Sequence, residues 1–593
     1  MPATAAALLA RLEAGKSRFG PGAATETKLL LAELSRRNFR DSESLIRFHE
    51  ALLFFRAFPQ SPALVLHIEK LLNTFHTRVD QLRELGVDMS AFDDFDTSGI
   101  AGTTMQDALN FEAARWLVRR IPGNVEIAWD DYREDYASER AMGSSWPRFI
   151  PLLEEDAEVE ANIPWRRWLD AARGGARDVE WLIARFEKLP VPPRERAELY
   201  DSLRLPLRWH LKNLKFSRTR NWTRPRAFFY HKDPLIVRKQ VSLAHELAQP
   251  APKLARLSRR EGESVMNSIR EVMTVRYREL YGTTLGDPNS VVRATLSRGV
   301  VMYFWNLPAA RRLPLRAYVA GFALKNGVPI NYIEAIGLCE WIEVGFNTFY
   351  TYRQGETAWI YAQALRCLRA FTGATTISVY PYQIGQNNDE ALDSGAFWFY
   401  RKLGFRSGRK DLEQLARREE RKIAANPQYR TPKRTLKRLA EAHMFYELGQ
   451  AGKGTTSSRA EYAENLKAAL ASGGILGPWD TFSTRTLGLR VNRRMAREFD
   501  GDSESFRCAS VAEVSRALNV NLFHWNPAER AAFENWSLVL ALISRLNLWS
   551  QQEKQDIVRI IRAQAGRSEM HYLRLTQRHP RLRAELLRLG SQR

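Results

Sequence analysis

The sequence predicts an α+β fold: a central mixed α/β domain flanked by mainly helical N- and C-terminal regions. Three observations carry this reading. Runs of strand character are concentrated between residues 300 and 405, apolar residues recur at helical spacing in both flanks, and an Asn-Gly pair joins two of the central apolar runs. The chain of 593 residues is too long for one small core. We divide it into a helical region 1–200, a basic helical connector 201–295, a central domain 296–408, a basic helical segment 409–446 and a helical region 447–593.

In the first region Leu45, Phe48, Leu52 and Phe55 recur at helical spacing, as do Leu64, Ile68, Leu71 and Leu72. Loops fall at Gly20-Pro21-Gly22, at 59–62 and at Pro190-Val191-Pro192-Pro193. The stretch from Asp94 to Gly99 begins like a calcium loop, but Met105 stands where the bidentate glutamate belongs, so no metal site is expected. Residues 98–104 read as a flexible start to a helix, and the acidic run 154–160 as a solvated face. In the connector, 237–247 and 264–280 are helical in pattern, and Ala227–Tyr230 is taken as a strand.

Strands are expected at 300–305, 316–324 and 328–336. Lys325-Asn326-Gly327 joins the last two as a hairpin, because both Asn and Gly tolerate the positive φ that such a turn requires. After Leu338, Ile342, Val344 and Phe346 share one parity, as in a half-buried strand ending near Thr348 and Phe349. From Ala358 the period becomes helical: Ala358, Tyr361, Ala362, Leu365 and Leu368 form an apolar face, with Gln363, Arg366 and Arg369 opposite. Gly373 caps that helix, 376–380 is a buried strand, and Ser394 caps a short helix ending at Gly404.

A turn between a strand and a helix N-terminus aims free N–H groups outward and suits a pyrophosphate. Here it reads Tyr352-Arg353-Gln354-Gly355-Glu356-Thr357-Ala358, which resembles the coenzyme-A turn [Arg/Gln]-x-x-Gly-x-[Gly/Ala] of the GNAT acetyltransferase superfamily. Arg353 and Ala358 match its ends. Glu356 replaces the central glycine, and its carboxylate repels a pyrophosphate unless the side chain turns away. Ala396-x-x-Phe399-Tyr400-x-Lys402-x-Gly404-Phe405 is similar to the late motif of the same family. The resemblance covers roughly 296–408. It implies two splayed parallel strands, acetyl-CoA or another acyl-CoA as cofactor, and acyl transfer to an unidentified amine. Thr348, Phe349, Arg353, Gln354, Gly355, Thr357 and Ala358 would bind the cofactor, with Tyr400 protonating the leaving thiolate. The runner-up is a catalytically inactive scaffold of the same fold. Glu334, Glu340 and Glu343 lie on the strands facing the acceptor, and Glu340 or Glu343 would serve as base, although exposed strand carboxylates more often do nothing chemical. Tyr400 sits among aromatics, which are more often core than site.

The net charge is +22. Residues 1–200 hold 26 basic against 32 acidic residues, 201–260 hold 15 against 3, and 401–440 hold 14 against 4. The surplus therefore flanks the central domain. Segments 208–226 and 406–438 are expected to make a positive face open to nucleic acid, with Trp209, Phe216 and Trp222 available for stacking. After Phe405 the usual last strand of the family it resembles reads as short or absent. Three dispersed cysteines, Cys339, Cys367 and Cys508, favour a cytoplasmic location, and no apolar run is long enough to span a membrane.

Overall fold

The computed structural model describes residues 4–20, 22–132, 145, 148–149, 165–212, 215–278, 281–448 and 478–591. The acidic run 154–160 and the glycine-rich breaks at 449–454 and 473–477 lie outside them. The fold is mixed α+β, with helical ends around a central sheet.

Its twelve named strands are β1 (Thr104–Asp107), β2 (Val125–Ile127), β3 (Leu207–His210), β4 (Leu254–Arg256), β5 (Val292–Thr295), β6 (Val300–Trp305), β7 (Ala317–Lys325), β8 (Val328–Leu338), β9 (Trp341–Thr348), β10 (Thr376–Val379), β11 (Arg406–Ser407) and β12 (Met444–Glu447). Nine of them form one sheet in the order β11-β12-β10-β9-β8-β7-β6-β5-β4. Among the described residues of this sheet only β9 and β10 pair in parallel; the other neighbours are antiparallel. The parallel pair is joined by helix Thr357–Thr372, as the crossover demands. That helix ends on Gly373 at φ 79°.

The β6–β7–β8 meander lies where the alternation places it. Asn326 and Gly327 both have positive φ, 48° and 78°. The hairpin tip is nevertheless not a free turn. Asn326 is fully buried, and its amide donates to the carbonyls of Ala57 (2.9 Å) and Phe229 (3.0 Å) and accepts from the Phe229 N–H (2.8 Å). Local chemistry formed the turn, and tertiary docking buried it.

Several expectations are corrected. Ala227–Tyr230 is irregular, and the sheet begins instead at β4. The strands after Phe405 are short: two-residue β11, and β12, which inserts between β10 and β11 after two basic helices, Lys410–Ala425 and Lys433–Leu439. The four residues of β12 are too few to show a period. Ser394 does not cap Ala396–Lys402; Gly395 precedes that helix at φ 69°, and Ser394 closes the preceding Asp389–Asp393 turn of helix. Gln363 is buried, because helix Leu243–Ala248 covers it and Glu246 accepts its amide at 2.7 Å.

The N-terminal region is not wholly helical. Residues 98–104 run into β1, which joins β3 and β2 in a small antiparallel sheet, order β1-β3-β2. Gly99 is required there: a Cβ on it would meet the Val275 carbonyl oxygen. This sheet and helices Phe111–Arg120, Asp178–Lys188 and Pro193–Ser202 form a core of their own. The earlier helices, the nine-stranded sheet and the C-terminal helices instead share one continuous core.

Candidate functional site

The candidate site lies where β9 and β10 part. Their register runs only through Thr376↔Trp341, Ile377↔Ile342 and Ser378↔Glu343, whereas β9 continues to Thr348. The Thr376 N–H bonds to the Glu340 carbonyl at 3.1 Å, so even-numbered residues of β9 turn their backbone groups toward β10. Phe346 and Thr348 continue that edge, and β10 supplies no register partner for them. An extended ligand entering the gap would find unpaired ladder groups. Beyond β9, helix Thr357–Thr372 begins with no side-chain cap, leaving first-turn amides without an intrahelical acceptor.

The turn from 349 to 358 is held from its inner side. Glu356 is fully buried, makes a 3.0 Å ion pair with Lys325 and another with Arg298, and accepts the Ile236 N–H at 3.2 Å. Burial alone would raise its pKa, but Lys325 and Arg298 hold it below the usual carboxylate range. The carboxylate thus points away from the outward-facing amides, which removes the repulsion that its sequence position implied. Gly355 packs on Phe58, which would lie 2.5 Å from an added Cβ. Thr351 bonds to buried Glu50, whose other partners are Arg218 at 2.6 Å and His49 Nδ1 at 3.2 Å. Burial raises the Glu50 pKa, and Arg218, His49 and Thr351 together more than offset this, bringing it to about 2. Helix Ser42–Ala57 therefore forms the floor of the turn, a contribution from outside the expected central domain.

The cofactor candidates divide by position. Gln354 is exposed, and Thr357 donates to the Arg353 carbonyl at 3.2 Å. Arg353 pairs with Glu390 at the surface. Ala358 is buried under the first helical turn. Thr348 ends β9, and its carbonyl accepts from Arg353 Nε at 3.4 Å. Phe349 is core: it packs between Phe322 and Tyr332, with Arg276 4.4 Å from its ring centre.

The two glutamates separate. Glu340 sits in the β8–β9 turn, where Trp479 Nε1 and Arg583 Nε both donate to it at 2.7 Å. It anchors the C-terminal region at the end of β9 remote from the 353–358 turn, about 25 Å along the strand. Glu343 occupies the last paired position, at the apex of the gap, and lies 2.7 Å from His443 Nε2 and 3.7 Å from Arg316. Glu334 is bonded by the Tyr318 hydroxyl, and burial raises its pKa. His443 was missed; one histidine before a four-residue strand carries no spacing signal, and only the insertion of β12 brings it to Glu343.

Tyr400 is 4% exposed. Its ring touches those of Tyr361, Phe399 and Phe405, and burial raises its pKa. Two clefts lie elsewhere: one of about 530 Å³ lined by residues including Asp93, Gln106 and Tyr277, and one of about 190 Å³ between Arg115, Trp116 and Arg270.

The basic segment 208–226 does not form the expected stacking surface. Trp209 and Phe216 are buried, Trp222 donates to the Asn326 carbonyl at 2.9 Å, and Arg218 is interior. Arg208 is paired with Asp130 and Asp131. In 406–438, Arg409, Arg417, Lys422 and Lys433 also have acidic partners. Among the described residues no helix is long and apolar enough to cross a membrane. Compared with known protein families, with curated proteins and with solved structures, the chain matches none.

Proposed function

We propose that the central sheet belongs to a GNAT-like acyltransferase that moves an acyl group from acyl-coenzyme A to an amine. The observation that carries this reading is the parallel β9–β10 pair, which parts after Glu343 beside an uncapped helix N-terminus. The pantetheine arm would lie along Phe346 and Thr348, and the pyrophosphate against the amides that open helix Thr357–Thr372. The inward Glu356 supports the reading by removing the charge conflict at that turn.

In this scheme the amine nitrogen attacks the thioester carbonyl. A C–N bond forms and the C–S bond breaks. Glu343, directly or through His443, takes the proton lost by the amine, and Tyr400 gives its proton to the departing thiolate. No covalent enzyme intermediate is needed.

The second reading, a binding scaffold without turnover, is favoured by Gln383. Its side chain lies 3.6 Å from where a Cβ on Gly345 would sit, so the 381–386 segment covers one face of β9. Thermal unfolding with and without acetyl-CoA tests cofactor binding, because a ligand of the folded state raises the melting temperature. A rise is expected at submillimolar ligand. No shift at millimolar acetyl-CoA would remove the acyltransferase reading. A rise without acetylation across a panel of amines would favour the scaffold.

A further inference from the structure

Tyr361 is the fifth residue of helix Thr357–Thr372 and is fully buried. Its hydroxyl has no hydrogen-bond partner among the described residues. A buried hydroxyl without a partner loses its water and gains nothing in return, so its retention calls for a reason. Its neighbours supply none: they are the rings of Phe346 at 4.8 Å, Tyr400 at 5.6 Å, Phe399 at 5.9 Å and Phe405 at 6.2 Å between centroids. The pattern was legible only as a helical face, on which a tyrosine reads as one more core residue.

The surroundings locate the unmet group. Phe346 is the β9 residue whose backbone edge faces the gap left by β10. Helical side chains lean toward the N-terminus of their helix, so Tyr361 leans back toward the uncapped first turn. The Tyr400 ring belongs to the same aromatic box. One unmet donor, the Tyr361 hydroxyl, therefore shares an apolar enclosure with the Tyr400 ring beside the open part of the sheet.

We propose that Tyr361 is a second ligand-contacting hydroxyl of this site, donating a hydrogen bond to the carbonyl oxygen of the bound thioester while Tyr400 faces its sulfur. The assignment rests on the acyl-coenzyme-A reading above. It adds a residue of the crossover helix that the late Tyr400 motif does not contain. The bond transfers no proton: the Tyr361 O–H stays intact and stabilises the negative charge that grows on the carbonyl oxygen when an amine attacks.

The test is calorimetric titration of the full chain with acetyl-CoA and, separately, with coenzyme A, comparing the parent with Tyr361→Phe. Coenzyme A lacks the carbonyl and serves as internal control. Tyr361→Phe keeps the ring and removes only the unmet hydroxyl, so its melting temperature without ligand should equal or exceed that of the parent. Acetyl-CoA affinity should fall about ten-fold, as expected for one lost hydrogen bond, while coenzyme-A affinity is unchanged. Equal affinities of parent and variant for acetyl-CoA would overturn the assignment. Parallel loss for both ligands, or a lowered melting temperature, would assign Tyr361 to packing instead. If the parent binds neither ligand, the acyltransferase reading itself fails, and that outcome is visible before any variant is made.

Discussion

Glu356 offers the sharpest test of how the turn is built. A residue facing a pyrophosphate and a residue locked in a buried ion pair respond oppositely to neutralisation. Glu356→Gln removes the charge and keeps an acceptor for the Ile236 N–H. It leaves Lys325, fully buried, and Arg298, about one-fifth exposed, facing a neutral amide. Breaking a buried pair by removing one partner costs about 3–5 kcal/mol. The retained hydrogen bond and the partial exposure of Arg298 place the expected loss at the low end, about 3 kcal/mol. With a urea dependence of about 3 kcal/mol per M, the unfolding midpoint of the main core should fall by about 1 M. Tryptophan fluorescence reports it, since Trp305 and Trp341 lie in that core. Adding Lys325→Met to the Gln variant should recover part of the loss, because the stranded cation is then gone. Unchanged stability in Glu356→Gln, together with tighter binding of acetyl-CoA, would refute the inward placement of the carboxylate.

Three further outcomes are expected. Tyr400→Phe should lower turnover by about 10²-fold or more with coenzyme-A affinity unchanged, measured by thiol release with an active amine; unchanged turnover removes Tyr400 from the chemistry. Glu343→Gln and His443→Ala should both lower turnover, whereas Glu340→Gln should lower stability through Trp479 and Arg583 and leave the chemical step alone. Acidification should destabilise the N-terminal helices: burial depresses His49 from 6.5 to about 4, so the unfolded chain binds the extra proton, and stability present above pH 6.5 is lost as pH falls toward 4. A pH series of melting temperatures on the parent and His49→Gln checks this, and identical slopes would exclude His49.

The sequence by itself determined the elements whose cause is local. Alternation placed β6, β7, β8 and β9, the positive-φ pair Asn326-Gly327 placed the hairpin, and Gly373 ended the crossover helix. The same local signals named the turn at 353–358 and Tyr400. Four-residue β12, three-residue β4 and the small sheet of β1, β3 and β2 fell below the length at which a period declares itself.

Only the tertiary structure decided the rest, because charge and burial are settled by partners distant in the chain. Arg218 and Glu50 are 168 residues apart, and each would be costly to bury alone, yet they are interior because they meet. The same holds for Lys325 and Glu356, 31 residues apart, which turns an apparent obstacle to anion binding into the support of the turn. It also explains why Arg218 of the basic segment 208–226 is interior, while Lys212, Lys215, Arg224 and Arg226 stay exposed. A sequence shows how many charges a segment carries, and the fold determines which of them find a counter-charge and leave water.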